Sequence, residues 1–164
     1  MRIFIIALSL LASCGTYAQK AEAEIFAKVP ESVGNISFTA QGDLVYSHHP
    51  FFNPEYRVVK YNTQTKSITP FPNKEWNTPR EKDDHYLSNV LGIRNDKNGV
   101  VWMLDMAGRN AITPKIVGWN TRTNKLERIY YLPQAAIVKT SQPNDMVVDI
   151  CILKPSLKQL TSGW

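Results

Sequence analysis

The residues of this chain best suited to chemistry are oxygen donors. Asn144, Asp145 and Asp149 lie close together, and Asp105 closes the apolar run Trp102-Met103-Leu104. Carboxylate and amide oxygens suit a hard cation such as calcium, which takes about 6–8 of them. Two carboxylates and an amide are too few for such a site, so other parts of a fold would have to add ligands. The competing reading is structural. An Asn-Asp pair turns the chain at a strand end, and a carboxylate such as Asp105 ties down a loop by hydrogen bonds. His48-His49 and Asp83-Asp84-His85 are the histidine clusters. Neighbours in a strand point to opposite faces, so His48 and His49 cannot share one metal if the strand runs through them. A zinc site also wants three or four ligands at set spacings. Both clusters therefore read as exposed polar loop residues. No G-x-S-x-G, H-E-x-x-H, P-loop or G-x-G-x-x-G occurs. Cys151 has no CxxC partner and no histidine near it, and reads as a small buried apolar residue. Phe51, Phe52, Trp76, Trp102 and Trp119 are expected to pack between structural units rather than to line a ligand cage.

Charge narrows the partners. The formal net charge is +5, but the cations are scattered and no run of five or more like charges occurs. A nucleic-acid binder concentrates its basic residues on one face or tail. The expectation is a solvated surface with a mild cation excess and no nucleic-acid partner.

The N-terminus carries an export signal. After Met1-Arg2 comes the apolar run Ile3 to Ala12, half the ~20 residues a membrane-spanning helix needs and the size of a signal-peptide core. Residues 1–18 are read as that signal. Leu11-Ala12-Ser13-Cys14 resembles the lipoprotein box, in which the cysteine becomes the lipidated N-terminus. Thr16-Tyr17-Ala18 instead suits ordinary cleavage before Gln19. The first makes Cys14 a lipidation site and the only route to a membrane. The second gives free secretion. With two cysteines in all, Cys14 and Cys151, no intrachain disulfide is expected once Cys14 is modified or removed. The expected location is extracellular or periplasmic.

The elements that must position these residues are short strands. Ten prolines, four tryptophans and seven tyrosines against eight glycines fit a loop-rich β protein. Residues 19–34 form a lead-in segment, with a short helix allowed over 21–27 before Pro30 and Gly34 stop it. From residue 35 one unit is written twice. In the first copy, strands at Ile36-Ser37-Phe38-Thr39, Leu44-Val45-Tyr46-Ser47, residues 56–61 and residues 67–72 are separated by turns at Gly42 and at Asn62-Thr63-Gln64-Thr65-Lys66. In the second copy, strands at 90–94, 100–105, 114–119 and 126–133 are separated by turns at Asn98-Gly99 and Asn120-Thr121-Arg122-Thr123-Asn124. Gly42 to Gly99 is 57 residues, and the asparagine turns are 58 apart.

Four antiparallel strands per repeat is the content of a β-propeller blade. The fold expected is all-β, with about two and a half four-stranded blades. A β-sandwich is the alternative. Six blades at this period would need about 340 residues, so the expectation is a truncated, N-terminal part of a longer propeller. Open blade edges would make self-association a hazard.

The ordered set Trp102-Met103-Leu104-Asp105, Pro114-Lys115-Ile116 and Asn144-Asp145-Met146-Val147-Val148-Asp149 is similar to the bacterial branch of the major royal jelly/Yellow protein family, over roughly residues 35–149. That resemblance implies an exported six-bladed propeller related in architecture to gluconolactonase-like, calcium-dependent lactone hydrolases. It also implies that Asn144, with Asp145 and Asp149, sits near the channel. The tail at 150–164 departs from the family pattern. Two functions are expected in consequence. One is a non-catalytic propeller that binds a small molecule. The other is a metal-dependent lactone hydrolase, for which the chain lacks a complete acidic-amide set.

Overall fold

A computed structural model describes residues 22–81, 83–107, 112–133, 135, 137 and 142–149. Cys14, Cys151, the signal segment and the 150–164 tail lie outside them. Eight strands form two sheets: β1 (Val33–Phe38), β2 (Leu44–His48), β3 (Val58–Tyr61) and β4 (Ile68–Pro70), then β5 (Val90–Asn95), β6 (Val100–Asp105), β7 (Lys115–Asn120) and β8 (Lys125–Tyr131). Each sheet is antiparallel and in simple chain order, β1-β2-β3-β4 and β5-β6-β7-β8. The protein is all-β, and among the described residues the two sheets do not close into a ring. No helix of the described residues is long and apolar enough to cross a membrane.

The repeat holds at the level of register. β1 pairs with β2 through Val33↔His48, Ile36↔Tyr46, Ser37↔Val45 and Phe38↔Leu44. β5 pairs with β6 through Val90↔Asp105, Ile93↔Met103, Arg94↔Trp102 and Asn95↔Val101, each pair 57 residues on. Both first strands carry an irregularity at the same place, between Val33 and Ile36 and between Val90 and Ile93. An extra residue there twists the strand and re-aims the side chains beyond it.

Turn chemistry explains why both copies adopt this register. Thr39 Oγ1 accepts from the amides of Gln41 and Asp43, and 57 residues later Asp96 Oδ1 accepts from those of Asn98 and Val100. Different side chains thus fold the same turn, each completed by a glycine at positive φ, Gly42 at 87° and Gly99 at 82°. In the next hairpin Asn62 Oδ1 accepts from Gln64 and Thr65, as Asn120 Oδ1 does from Arg122 and Thr123. Lys66 and Asn124 close these turns in the left-handed region, at 62° and 52°.

The main core lies between the sheets. Val45 and Val58 of the first sheet meet Ile93, Val101, Met103, Val117 and Trp119 of the second, with Phe71, Trp76 and Leu87 from the connection filling the gap. Trp76 stands edge-on to Trp119 with ring centres 6.3 Å apart. Each fully buried aliphatic chain contributes about 1.5–3 kcal/mol. β1 and β2 both adjoin β5: Ser37 Oγ donates to Asn95 Oδ1 at 2.9 Å, and Ser47 Oγ donates to the Leu91 carbonyl at 2.9 Å.

The opposite face of the first sheet is covered by the lead-in segment. Ala27 and Val29 lie on a cluster of Leu44, Tyr46, Val59 and Tyr61. Residues 22–29 are not helical, contrary to the expectation of a short helix over 21–27. An isolated two-turn helix is marginal in water, whereas an extended strap lays Ala27 and Val29 across the sheet. A second correction concerns the aromatics. Trp76 and Trp119 do pack between the sheets, but Phe51 and Phe52 are 81% and 70% exposed, on a short 3-10 turn at Pro50–Phe52.

Candidate functional site

The ends of β2 and β6 are equivalent, and the chain places a titratable side chain at each. In the second sheet this is Asp105. Both its oxygens are consumed: Oδ1 accepts from the amides of Asn89 at 3.0 Å and Ala107 at 2.9 Å, while Oδ2 accepts from the amide of Ser88 at 2.9 Å and from Lys115 Nζ at 3.0 Å. Lys115 sits directly across the β6–β7 pair. Both side chains are fully buried, and the ammonium lies 5.8 Å from the centre of the Tyr86 ring. This carboxylate has no lone pair aimed at a cation from outside. Of the two sequence readings, the loop-tying one describes it.

In the first sheet the equivalent position is His48, 5% exposed. Its Nδ1 lies 2.7 Å from the Tyr56 carbonyl and 2.9 Å from Glu31 Oε2. Both partners accept, so Nδ1 carries the proton. The carbonyl is held in place from behind. Asn77 Oδ1 accepts from the amides of Arg57 and Val58, and its Nδ2 donates to the carbonyls of Phe71 and Asn73. His48 Nε2 is buried and has no partner, and neither has the buried Tyr46 hydroxyl. The two rings meet edge to face at 5.3 Å. Burial first, then the Glu31 carboxylate, pushes the Tyr46 phenol above its ordinary value.

His48 lines a cavity of about 500 Å³ between the lead-in strap and the loop after β2. Glu31, His49, Phe52, Asn53 and Glu55 are among its walls. His49 leaves the strand, so it does not continue the alternation. Its Nδ1 accepts from the Phe51 amide at 3.3 Å, which leaves Nε2 as its donor. A volume of this size is typical of small-molecule sites.

The other sequence candidates lie elsewhere. Residues 142–149 lie against the second sheet, at Gly92 and Arg94 of β5 and beside Trp102, Ile116 and Tyr130. The Asn144 carbonyl and Asp145 press on Gly92, where a β-carbon would sit 2.9 Å from that carbonyl. Asp145 pairs with Arg94 Nη2 at 2.5 Å, and Arg94 Nη1 also donates to Asn35 Oδ1 at 2.9 Å. One guanidinium therefore joins β1, β5 and the 142–149 segment. Asp149 lines a smaller, mostly apolar cleft with Trp102, Ile116, Tyr130 and Met146. Among the described residues no three His, Cys, Asp or Glu side chains gather as a metal-holding group. Asp105 lies in its buried pair with Lys115 and Asp145 pairs with Arg94, so neither is gathered with Asn144 and Asp149 around a common point. His85 and Asp83 pair with each other at 2.8 Å on the surface, and the amide and ring of His85 hold the Asp83 carboxyl below its usual range.

Residue types and spacing do not single out Glu31, His48 or Lys115 as functional positions, although the repeat carries a signal for one of them. Val-x-x-Ile recurs at 33–36, 90–93 and 147–150, always 57 residues apart. That register aligns position 48 with 105 and so marks the end of β2 as a place where this fold puts a titratable group.

Fold and site together define an all-β protein of two like sheets with a polar cavity at the end of the first. No protein-family model matches the chain, and no curated protein matches it.

Proposed function

We propose that this chain is an exported, non-catalytic binding protein whose sheets are blades of a β-propeller of the royal jelly/Yellow type, and that it takes a small molecule at the end of the blades where β2 and β6 finish. The observation that carries this reading is the contrast between two equivalent positions. Asp105 is sealed by Lys115 and three backbone amides, whereas His48 lines a cavity of about 500 Å³. The blade reading is supported by the common register of the two sheets and by the third Val-x-x-Ile, led in by a segment laid on the second sheet. Binding is favoured over catalysis because Asp105 and Asp145 are neutralised by buried or bridging cations. A general base or metal ligand needs a free lone pair facing substrate.

Ligand-observed NMR of the purified chain against a set of small polar aromatics tests the reading. At least one compound should bind, and in protein-observed spectra its binding should broaden or shift His48 and Phe52 resonances. No binder at millimolar concentration would refute it. Lactones supplied with divalent metals should not turn over. Metal-dependent turnover lost in Asn144→Ala or Asp149→Ala would establish the calcium-dependent lactone hydrolase instead. Tethering at Cys14 is tested separately. Labelled palmitate should enter the wild type and be absent from Cys14→Ser, and a mature N-terminus at Gln19 would show free secretion.

A further inference from the structure

We propose that the lead-in strap and the bare part of β1 beside it are the contact face for a second copy of this chain, the two straps pairing antiparallel about a two-fold axis. The proposal goes beyond the small-molecule reading and needs neither a ligand nor a closed ring of sheets.

The first observation is an apolar surface that one sheet buries and the other does not. Ile36 and Phe38 stand opposite Tyr46 and Leu44, so they share the face on which the strap lies. Ala27 and Val29 cover residues of β2 and β3 there, and β1 is left half bare, with Ile36 52% and Phe38 38% exposed. Phe26 stands edge-on to Phe38 at 5.7 Å and is itself 59% exposed, and Ile25 next to it is 75% exposed. In the second sheet the positions equivalent to Val33 and Ile36 are Val90 and Ile93. Both are fully buried, in one cluster with Val45 and Val58 of the first sheet. This side of the repeat is thus a side that the fold covers where it can.

The second observation is backbone. Residues 22–30 belong to neither helix nor strand, yet residues 26–30 alternate between exposed and half-buried, which is the period of a strand. Among the described residues, no amide or carbonyl of this segment makes a hydrogen bond. A row of unpaired backbone groups with a strand's alternation is a template for another chain.

The third is charge. Glu22, Glu24 and Lys28 are exposed on the strap. Parallel straps would set each against its like. Antiparallel straps centred on Ile25 set Glu22 against Lys28 twice over, and centred on Phe26 they do the same with Glu24 and Lys28. Such a contact is self-complementary and closes at two copies. Ile25 and Phe26 lie at its middle, with Ile36 and Phe38 beside them.

Sedimentation equilibrium of the purified chain should show a monomer at about 1 μM and mostly dimer at about 1 mM, with a dissociation constant of about 10–100 μM. That is the weakness expected of a small patch. Phe26→Asp should weaken the dimer about tenfold or more. The exposed charges give a test that leaves the core untouched. Lys28→Glu makes residues 22–28 wholly acidic, and Glu22→Lys with Glu24→Lys makes them wholly basic. Each variant alone should be monomeric where the wild type is half dimer, and an equimolar mixture of the two should pair at least as tightly as the wild type. Amide exchange across residues 22–30 should slow from dilute to concentrated protein. A monomer at about 1 mM, association that grows past two copies, a dimer indifferent to the strap variants, or strap amides that exchange alike at both concentrations would overturn the proposal. Ligand binding at the end of β2 is read by separate signals and stands or falls apart from it.

Discussion

Asp105→Ala should cost about 3–5 kcal/mol, the penalty typical of breaking a buried ion pair from one side. The native stability of a domain this size is about 5–15 kcal/mol, so a large share of it would go. The loss has two parts. The Lys115 ammonium would remain in a fully buried place without its counter-charge. The amides of Ser88, Asn89 and Ala107 would also lose their acceptor, and these hold the connection entering β5 against the end of β6. Asp105→Asn keeps the shape and still leaves the ammonium unpaired, so it should be nearly as damaging. The double variant Asp105→Leu, Lys115→Met should recover much of the loss, since a buried pair replaced by apolar groups of similar volume is often neutral or better. Urea unfolding of the four proteins checks this. A single-variant cost below about 1 kcal/mol, or a double variant worse than both singles, would contradict it.

Gly118→Val should be comparably harmful for a different reason. A β-carbon at Gly118 would lie 2.4 Å from Trp102 Cζ3 and 2.7 Å from Cε3. The clash is with a ring that cannot swing away. Trp102 Nε1 donates to Asp96 Oδ2 at 3.1 Å, and Tyr130 lies over the indole with centres 5.9 Å apart. Overpacking of this kind costs about 1–3 kcal/mol, and here it also strains the Asp96 turn that sets the β5–β6 register. Trp102→Leu introduced into Gly118→Val should restore part of the stability, which a double-mutant cycle reads directly. The emission maximum of Gly118→Val should move to the red as the indole leaves its slot. Unchanged emission and unfolding would show that the slot is looser than its geometry.

The strands and turns are legible in the sequence because their signals are local. Alternating apolar residues, Gly42 and Gly99 at positive φ, and the asparagine turns each act within a few positions. The two-fold repeat is legible for the same reason. Asp105 stands out by its place at a strand end, but its role does not, because its partner is ten residues away and meets it only through the strand register. Lys115 reads in sequence as one more surface cation. The lead-in strap looks helix-compatible because its conformation is set by the sheet face it covers, not by its own residues. Hydrophobicity alone assigns Phe51 and Phe52 to packing. Their exposure comes from the turn at Pro50–Phe52, capped by His49, which turns them outward.

The equivalence of positions 48 and 105 bears on how such a protein can change over evolutionary time. Where a unit is duplicated, one copy can keep a costly internal brace while its twin is released from that duty. In the second sheet this place holds the sealed Asp105–Lys115 pair, whose loss from one side alone is costly, and in the first it holds a histidine ring. Variation among sequences built on this plan should therefore concentrate at the end of the first sheet and in the strap above it. The Asp–Lys brace should stay fixed.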